Sequence, residues 1–197
     1  MSDEFFTDVT TLRARARQHI ERGAVTKGYQ GQLDVVLRLL NEALATEIVC
    51  VLRYRRHHFM ATGIHAVAVA AEFLAHAGEE QGHADQIAAR IVQLGGAPDF
   101  DPQGLHARSH SEYVAGENLM EMIREDLVAE RVAIDSYSEM IRYVGDSDST
   151  TRTMLEGILA TEEEHADDMA NLLTTLDPKA QARANEPMFM SSGKGSC

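Results

Sequence analysis

Residues 158–169 read ILATEEEHADDM, and residues 79–96 read EEQGHADQIAARIVQLGG. Each stretch holds a Glu-x-x-His pair, Glu162 with His165 and Glu80 with His83, inside a run whose apolar residues recur every three or four positions. Residues three apart project from one side of a helix, so each pair points one way. That way is inward. Glu162 interrupts the apolar stripe of Leu155, Ile158, Met169, Leu172 and Leu176, and Glu80 interrupts that of Phe73, Ala77, Ala84, Ile87, Ile91 and Leu94.

Two further stretches repeat the pattern without a histidine. Over 31–61 the stripe is Leu33, Leu37, Leu40, Leu44, Val51 and Tyr54, broken by Glu47. Over 117–144 it is Leu119, Ile123, Leu127, Ile134, Tyr137 and Ile141, broken by Glu130. Four amphipathic helices are therefore predicted, at 31–61, 66–95, 117–144 and 150–176. Each is about 40–45 Å long at 1.5 Å per residue. Ala61-Thr62-Gly63 ends the first, Gly95-Gly96-Ala97-Pro98 the second, and Gly145-Asp146-Ser147-Asp148-Ser149 separates the last two with a stop and a cap. Short turns make two antiparallel hairpins, and 96–115 is a single long crossover between them. The fold class is all-α, a four-helix bundle spanning 31–177. It has an N-terminal extension at 1–30, with a short helix over Thr11–Arg22, and a flexible tail at 178–197.

The four glutamates share one height. The first turn centres near residue 63, with Glu47 and Glu80 each about 16 residues away; the second centres near 146, with Glu130 and Glu162 each about 16 away. Burying that many carboxylates without positive partners would cost several kcal/mol apiece, so cations belong among them. Carboxylate oxygen with imidazole nitrogen suits iron or manganese; structural zinc more often takes thiolates.

Composition narrows the classes. The 197 residues carry a formal net charge of -13, which disfavours general nucleic-acid binding. No stretch of about 20 apolar residues exists to span a membrane. The beginning lacks the basic and apolar regions of a signal peptide, and two cysteines, Cys50 and Cys197, make no disulfide framework. A cytoplasmic setting is expected.

The motifs LNEALATE (40–47), EEQGHADQIAARIVQLGG (79–96), EDLVAERVAIDSY (125–137) and ILATEEEHADDM (158–169) together resemble the bacterioferritins and the related Dps-like ferritins, over about 33–176. One Glu from each of two helices and Glu-x-x-His from each of two others is the ligand set of their ferritin-like di-iron bundles. The resemblance implies that Glu47, Glu80, His83, Glu130, Glu162 and His165 hold two iron ions, with Glu80 and Glu162 bridging and Glu47 and Glu130 terminal. It implies a ferroxidase that oxidises Fe²⁺ to Fe³⁺ with O₂ or H₂O₂ and stores iron in a homo-oligomeric shell. Gln81 stands where a bacterioferritin has its haem-ligating methionine, so haem is not expected. No fifth helix is evident, which favours 12 subunits over 24. Alternative readings are a rubrerythrin-like peroxidase, a manganese-catalase-like enzyme or a DNA-protecting shell, although the Cys-x-x-Cys iron domain of rubrerythrins is missing.

Several side residues carry a second reading. Tyr54, included among the site residues, and Tyr137 each follow a predicted ligand glutamate by two turns, placed to hydrogen-bond a ligand or pass an electron. Asp126, one turn before Glu130, is positioned to orient a histidine. Cys50 reads as a small buried hydrophobe. His57, His58, His65, His76, His106 and His110 read as surface or packing residues. Arg13, Arg15 and Arg17 form a basic cluster, and Glu163 and Glu164 a solvated acidic face.

Overall fold

The structure, a computed structural model, describes residues 7–176, so the expected tail at 178–197, Cys197 included, lies outside the described residues. The elements are α1 (Val9–Ala16), a 3₁₀ turn (Ile20–Arg22), α2 (Leu33–Met60), α3 (Ala66–Gln93), α4 (Leu105–Arg108), α5 (Leu119–Val144) and α6 (Ser149–Leu176). The four long helices fall within two residues of the expected spans. The helix expected over Thr11–Arg22 is shorter: α1 ends at Ala16, and His19 at φ 53° turns the chain before the 3₁₀ segment. The crossover contains α4, which no apolar period announced. Its buried Leu105 packs on Ala45 and Val49 of α2.

Both hairpins form, and they meet with α2 against α5 and α3 against α6. Tyr54 reaches Glu130 while Tyr137 reaches Glu47, so α2 and α5 run antiparallel. The crossover must then climb the whole length of the bundle. Polar side chains of α2 hold it by its backbone. Asn41 Oδ1 accepts from the Asp99 amide at 2.8 Å, Thr46 Oγ1 from that of His110 at 2.9 Å, and Arg53 donates to the Glu112 carbonyl at 2.9 Å. His57, fully buried, sets Nε2 3.1 Å from the carbonyls of Val114 and Ala115. A covered loop needs partners for its peptide groups, and these residues supply them.

The core divides in two. One cluster gathers Val36, Leu40, Leu44, Ile87, Ile91, Leu155 and Ile158; the other gathers Val69, Phe73, Met122, Ile123 and Met169. Between them lies the level of the four glutamates. Ile134, expected inside, is only half-buried; small Ala133 takes the inward position, buried in the first cluster.

The ends are built as their residues demand. Gly95 at φ 83° and Gly96 donate to the Val92 and Ile91 carbonyls, both at 2.9 Å, closing α3 in a Schellman motif. A Cβ on Gly96 would lie 2.6 Å from Leu37 Cδ2, so a larger residue there would have to push the Leu37 side chain aside. Asp148 caps α6, accepting from the Thr151 amide at 3.0 Å and its hydroxyl at 2.6 Å. The same carboxylate takes Arg90 from α3 at 2.7 Å and Tyr29 from the N-terminal extension at 3.1 Å, tying three segments at one end. Burial pushes the Asp148 pKa up, but these donors outweigh it and hold it below the usual value. Replacing Asp148 by Ala removes a cap worth about 1 kcal/mol and leaves the buried Arg90 guanidinium, still bonded to Thr151 and Gln93, without its carboxylate, for about 1–3 kcal/mol more. The expected result is a thermal midpoint several degrees lower in the metal-free protein; an unchanged midpoint would show that this knot is not a stabilising feature.

Candidate metal centre

All six acidic and imidazole residues that interrupt the stripes converge at mid-bundle, each at most 5% exposed. α2 supplies Glu47, α3 supplies Glu80 and His83, α5 supplies Glu130, and α6 supplies Glu162 and His165. They form two overlapping cages. Glu47, Glu80, His83 and Glu162 make one, and Glu80, Glu130, Glu162 and His165 the other, with the potential ligand atoms of each within 4.8 Å of one another. His83 Nδ1 lies 3.4 Å from Glu47 Oε2, 3.6 Å from Glu80 Oε2 and 2.9 Å from Glu162 Oε1. His165 Nδ1 lies 3.4 Å from Glu80 Oε1, 3.6 Å from Glu162 Oε2 and 4.0 Å from Glu130 Oε2. Glu80 and Glu162 thus give one oxygen to each cage, while Glu47 and Glu130 each face one.

These contacts are not a hydrogen-bonded network. Nine buried side-chain nitrogen or oxygen atoms of the described residues lack a hydrogen-bond partner, and all but Arg108 Nε and Ser111 Oγ belong to these six residues. Each of the six contributes at least one. Buried polar atoms are normally satisfied, and donors about 2.1 Å from a shared ion lie about 3–3.5 Å apart. The residues fit a pair of cations.

The outer oxygens are held crosswise. Tyr54 of α2 donates to Glu130 Oε1 on α5, and Tyr137 of α5 donates to Glu47 Oε1 on α2. Each tyrosine serves the glutamate of the opposite hairpin, leaving the other oxygen, Glu130 Oε2 or Glu47 Oε2, free for its cage. Asp126 does orient a histidine, but not a member of the cages: it holds His57 Nδ1 and Arg53 Nε, both at 2.8 Å. The partner of His165 is Glu79, whose Oε2 sits 2.6 Å from Nε2. Sequence reasoning passed over Glu79 because its side chain is more than half exposed and breaks no stripe. His76, read as packing, is buried and stacks on His165 with ring centroids 3.9 Å apart; its signal was a position one turn before Glu80. Cys50 is buried beside this layer, and burial pushes its thiol well up, as for an inert hydrophobe. Arg13 and Arg15 are exposed on α1 and Arg17 just past its end, and Glu163 and Glu164 are exposed on α6.

Electrostatics show what the cages hold when no metal is bound. Burial, then the charge of Glu80, push Glu47 up to about 8. Burial with the charges of Glu80 and Glu162 raises Glu130 well above the usual carboxylate range. Burial disfavours charged His83 and His165, but the carboxylates, Glu162 foremost, lift them to about 12 and about 11. Burial and neighbouring charge also work to raise Glu80 and Glu162, yet Glu47 and then the two imidazoles beside Glu80, and the two imidazoles and then Glu130 beside Glu162, bring both below the usual value. Near neutral pH, protons therefore sit on Glu47, Glu130, His83 and His165, balancing the site. Two divalent cations can replace them charge for charge.

Bundle and cages together define a class of helical bundles with a candidate carboxylate-histidine metal centre. Its family follows from comparison: the sequence profile of the ferritin-like domain family matches residues 37–178, and the chain belongs to that family. It is 32% identical over 149 residues to a bacterioferritin of Mycobacterium bovis, covering 75% of this chain and 89% of that protein. A nutrient stress-induced DNA-binding protein of Synechococcus sp. is 31% identical over 137 residues, 68% of this chain and 78% of that one. Among solved structures, a dodecameric thioferritin, the bacterioferritin-related protein of Bacteroides fragilis, aligns with a TM-score of 0.74 at 29% identity, covering 78% of this chain and 92% of that one.

The raised groups set a pH dependence. Glu47 binds its proton more tightly folded than unfolded, so its contribution is full below the ordinary carboxyl value of 4.5 and is lost as pH rises to about 8. His83 and His165 lose theirs between the ordinary imidazole value of 6.5 and about 12 and about 11 respectively. Metal-free protein should melt at lower temperature at about pH 8 than at about pH 5, and two equivalents of Co²⁺ should raise the midpoint more at the higher pH. Equal stabilisation at both would contradict proton-for-metal exchange.

Proposed function

We propose that the chain is a ferroxidase: two Fe²⁺ enter the paired cages as substrate, and each loses one electron to O₂ or H₂O₂. The observation that carries this is the sharing of Glu80 and Glu162 between two cages whose remaining atoms are unpaired. Glu80 and Glu162 bridge, Glu47 with His83 and Glu130 with His165 complete the two positions, and Tyr54 and Tyr137 hold the terminal carboxylates in place. The iron supplies the electrons; the residues supply position, charge balance and a dry surrounding. Tyr54, bonded to Glu130, is also placed to deliver a further electron.

We place this chemistry in a cytoplasmic homo-oligomeric shell of twelve subunits that stores the oxidised iron. In support, the Bacteroides fragilis relative is dodecameric. Leu52, Phe59, Met60, Ile64, Val67 and Leu74 form an exposed apolar series along α2, α3 and their turn, the kind of surface that copies of a chain cover. No helix of the described residues is long and apolar enough to cross a membrane.

Anaerobic titration should show two Fe²⁺ bound tightly per chain, and mixing with O₂ or H₂O₂ in stopped flow should show rapid oxidation at that stoichiometry. Glu130→Ala should slow it by about 100-fold or more, beyond the usual effect of residues that merely orient ligands. Tyr54→Phe, which leaves Glu130 in place, should weaken the second ion by about 10-fold to 100-fold. Oxidation equally fast in wild type and Glu130→Ala sinks the reading. Gel filtration tests the assembly, with elution as a dodecamer expected and a monomer or dimer against it.

A further inference from the structure

Beside the second cage stands a group the ferroxidase reading does not use. His76 on α3 is 2% exposed, and its Nε2 is aimed at Glu72 Oε1, 3.5 Å away, and Asp168 Oδ2, 3.6 Å away. Both distances exceed an N–H···O hydrogen bond, yet they match the spacing of about 3.4 Å expected of donors arranged tetrahedrally around one ion. The three ligand atoms lie within 4.8 Å of one another. The two carboxylates are partly open to solvent, at 40% and 51% side-chain exposure, so the cluster has a wet side and a dry side.

The dry side leads to the paired cages. His76 stacks on His165, and its Nδ1 lies 3.2 Å from the Tyr54 hydroxyl, which itself bonds Glu130. When Glu130 is a carboxylate ligand, Tyr54 spends its one proton on it, and the Tyr54 oxygen can only accept from His76 Nδ1–H. A neutral His76 then carries its lone pair on Nε2, facing two carboxylate oxygens. Three electron-rich atoms pointing at one another call for a cation.

We propose that Glu72, His76 and Asp168 form a third divalent-cation site, filled from solvent and separated from the Glu130–His165 cage by the thickness of one imidazole. This rests on Glu130 being a ligand, since that sets the His76 tautomer. The site holds a waiting ion of borderline character, Fe²⁺ in use, close to where it is consumed. Its affinity is below that of the paired cages because only three protein ligands contribute and two of them remain hydrated.

Co²⁺ titration of the metal-free full-length protein, read by visible absorbance, tests it together with anomalous diffraction from Co²⁺-loaded crystals. Wild type should take three Co²⁺ per chain, the third more weakly, with an anomalous peak beside His76 Nε2. The double variant Glu72→Gln, Asp168→Asn should take two, lose that peak, and melt like wild type when metal-free, since both side chains are substantially exposed. Wild type with no peak at His76, or a peak that survives the double substitution, overturns the proposal. Failure of the paired-cage reading is separately visible, as Glu130→Ala protein that still binds two Co²⁺ tightly.

Discussion

Four carboxylates in a dry helical interior cannot all be charged unless positive charge stands among them, and the rest of the molecule is arranged around that constraint. Protons on Glu47, Glu130, His83 and His165 meet it in the absence of metal. In the proposed ferroxidase, divalent ions take the place of those protons. The apolar clusters above and below the glutamate layer provide the dryness that makes the exchange favourable.

The arrangement is nearly two-fold. Glu47 and Tyr54 on α2 are matched by Glu130 and Tyr137 on α5, and the Glu-x-x-His of α3 by that of α6. Crosswise tyrosine bonds link the hairpins through the very carboxylates that face the cages. Departures from symmetry mark where the halves do different work. His76, Glu72 and Asp168 flank only the second cage. Arg53, His57 and Asp126 occur only where α2 must grip the crossover. A buried ion pair is weak evidence for stability alone; here it fixes the path of a long connection.

The helices and the six convergent residues were legible because their signals are local. An apolar period of 3.6 reports which side of a helix is buried, whatever it packs against. A carboxylate on that side stands out for the same reason, and equal offsets from two turns set four of them at one height. Other assignments were beyond such reasoning. Ala133 rather than Ile134 faces inward: both lie one turn from Glu130, and only the rotation at which the helix packs decides between them. α4 was silent, since one turn carries no period.

From its sequence alone, then, this protein was determined to be an all-helical bundle with a carboxylate-histidine layer at mid-height, since helix faces and turn lengths follow from residue order. Tertiary structure decided which oxygen faces which cage, that Tyr54 and Tyr137 serve glutamates of the opposite hairpin, that Asp126 belongs to His57, and that His76 meets His165. Those are contacts between segments far apart in the chain, set by helix rotation and crossing, which no single helix encodes.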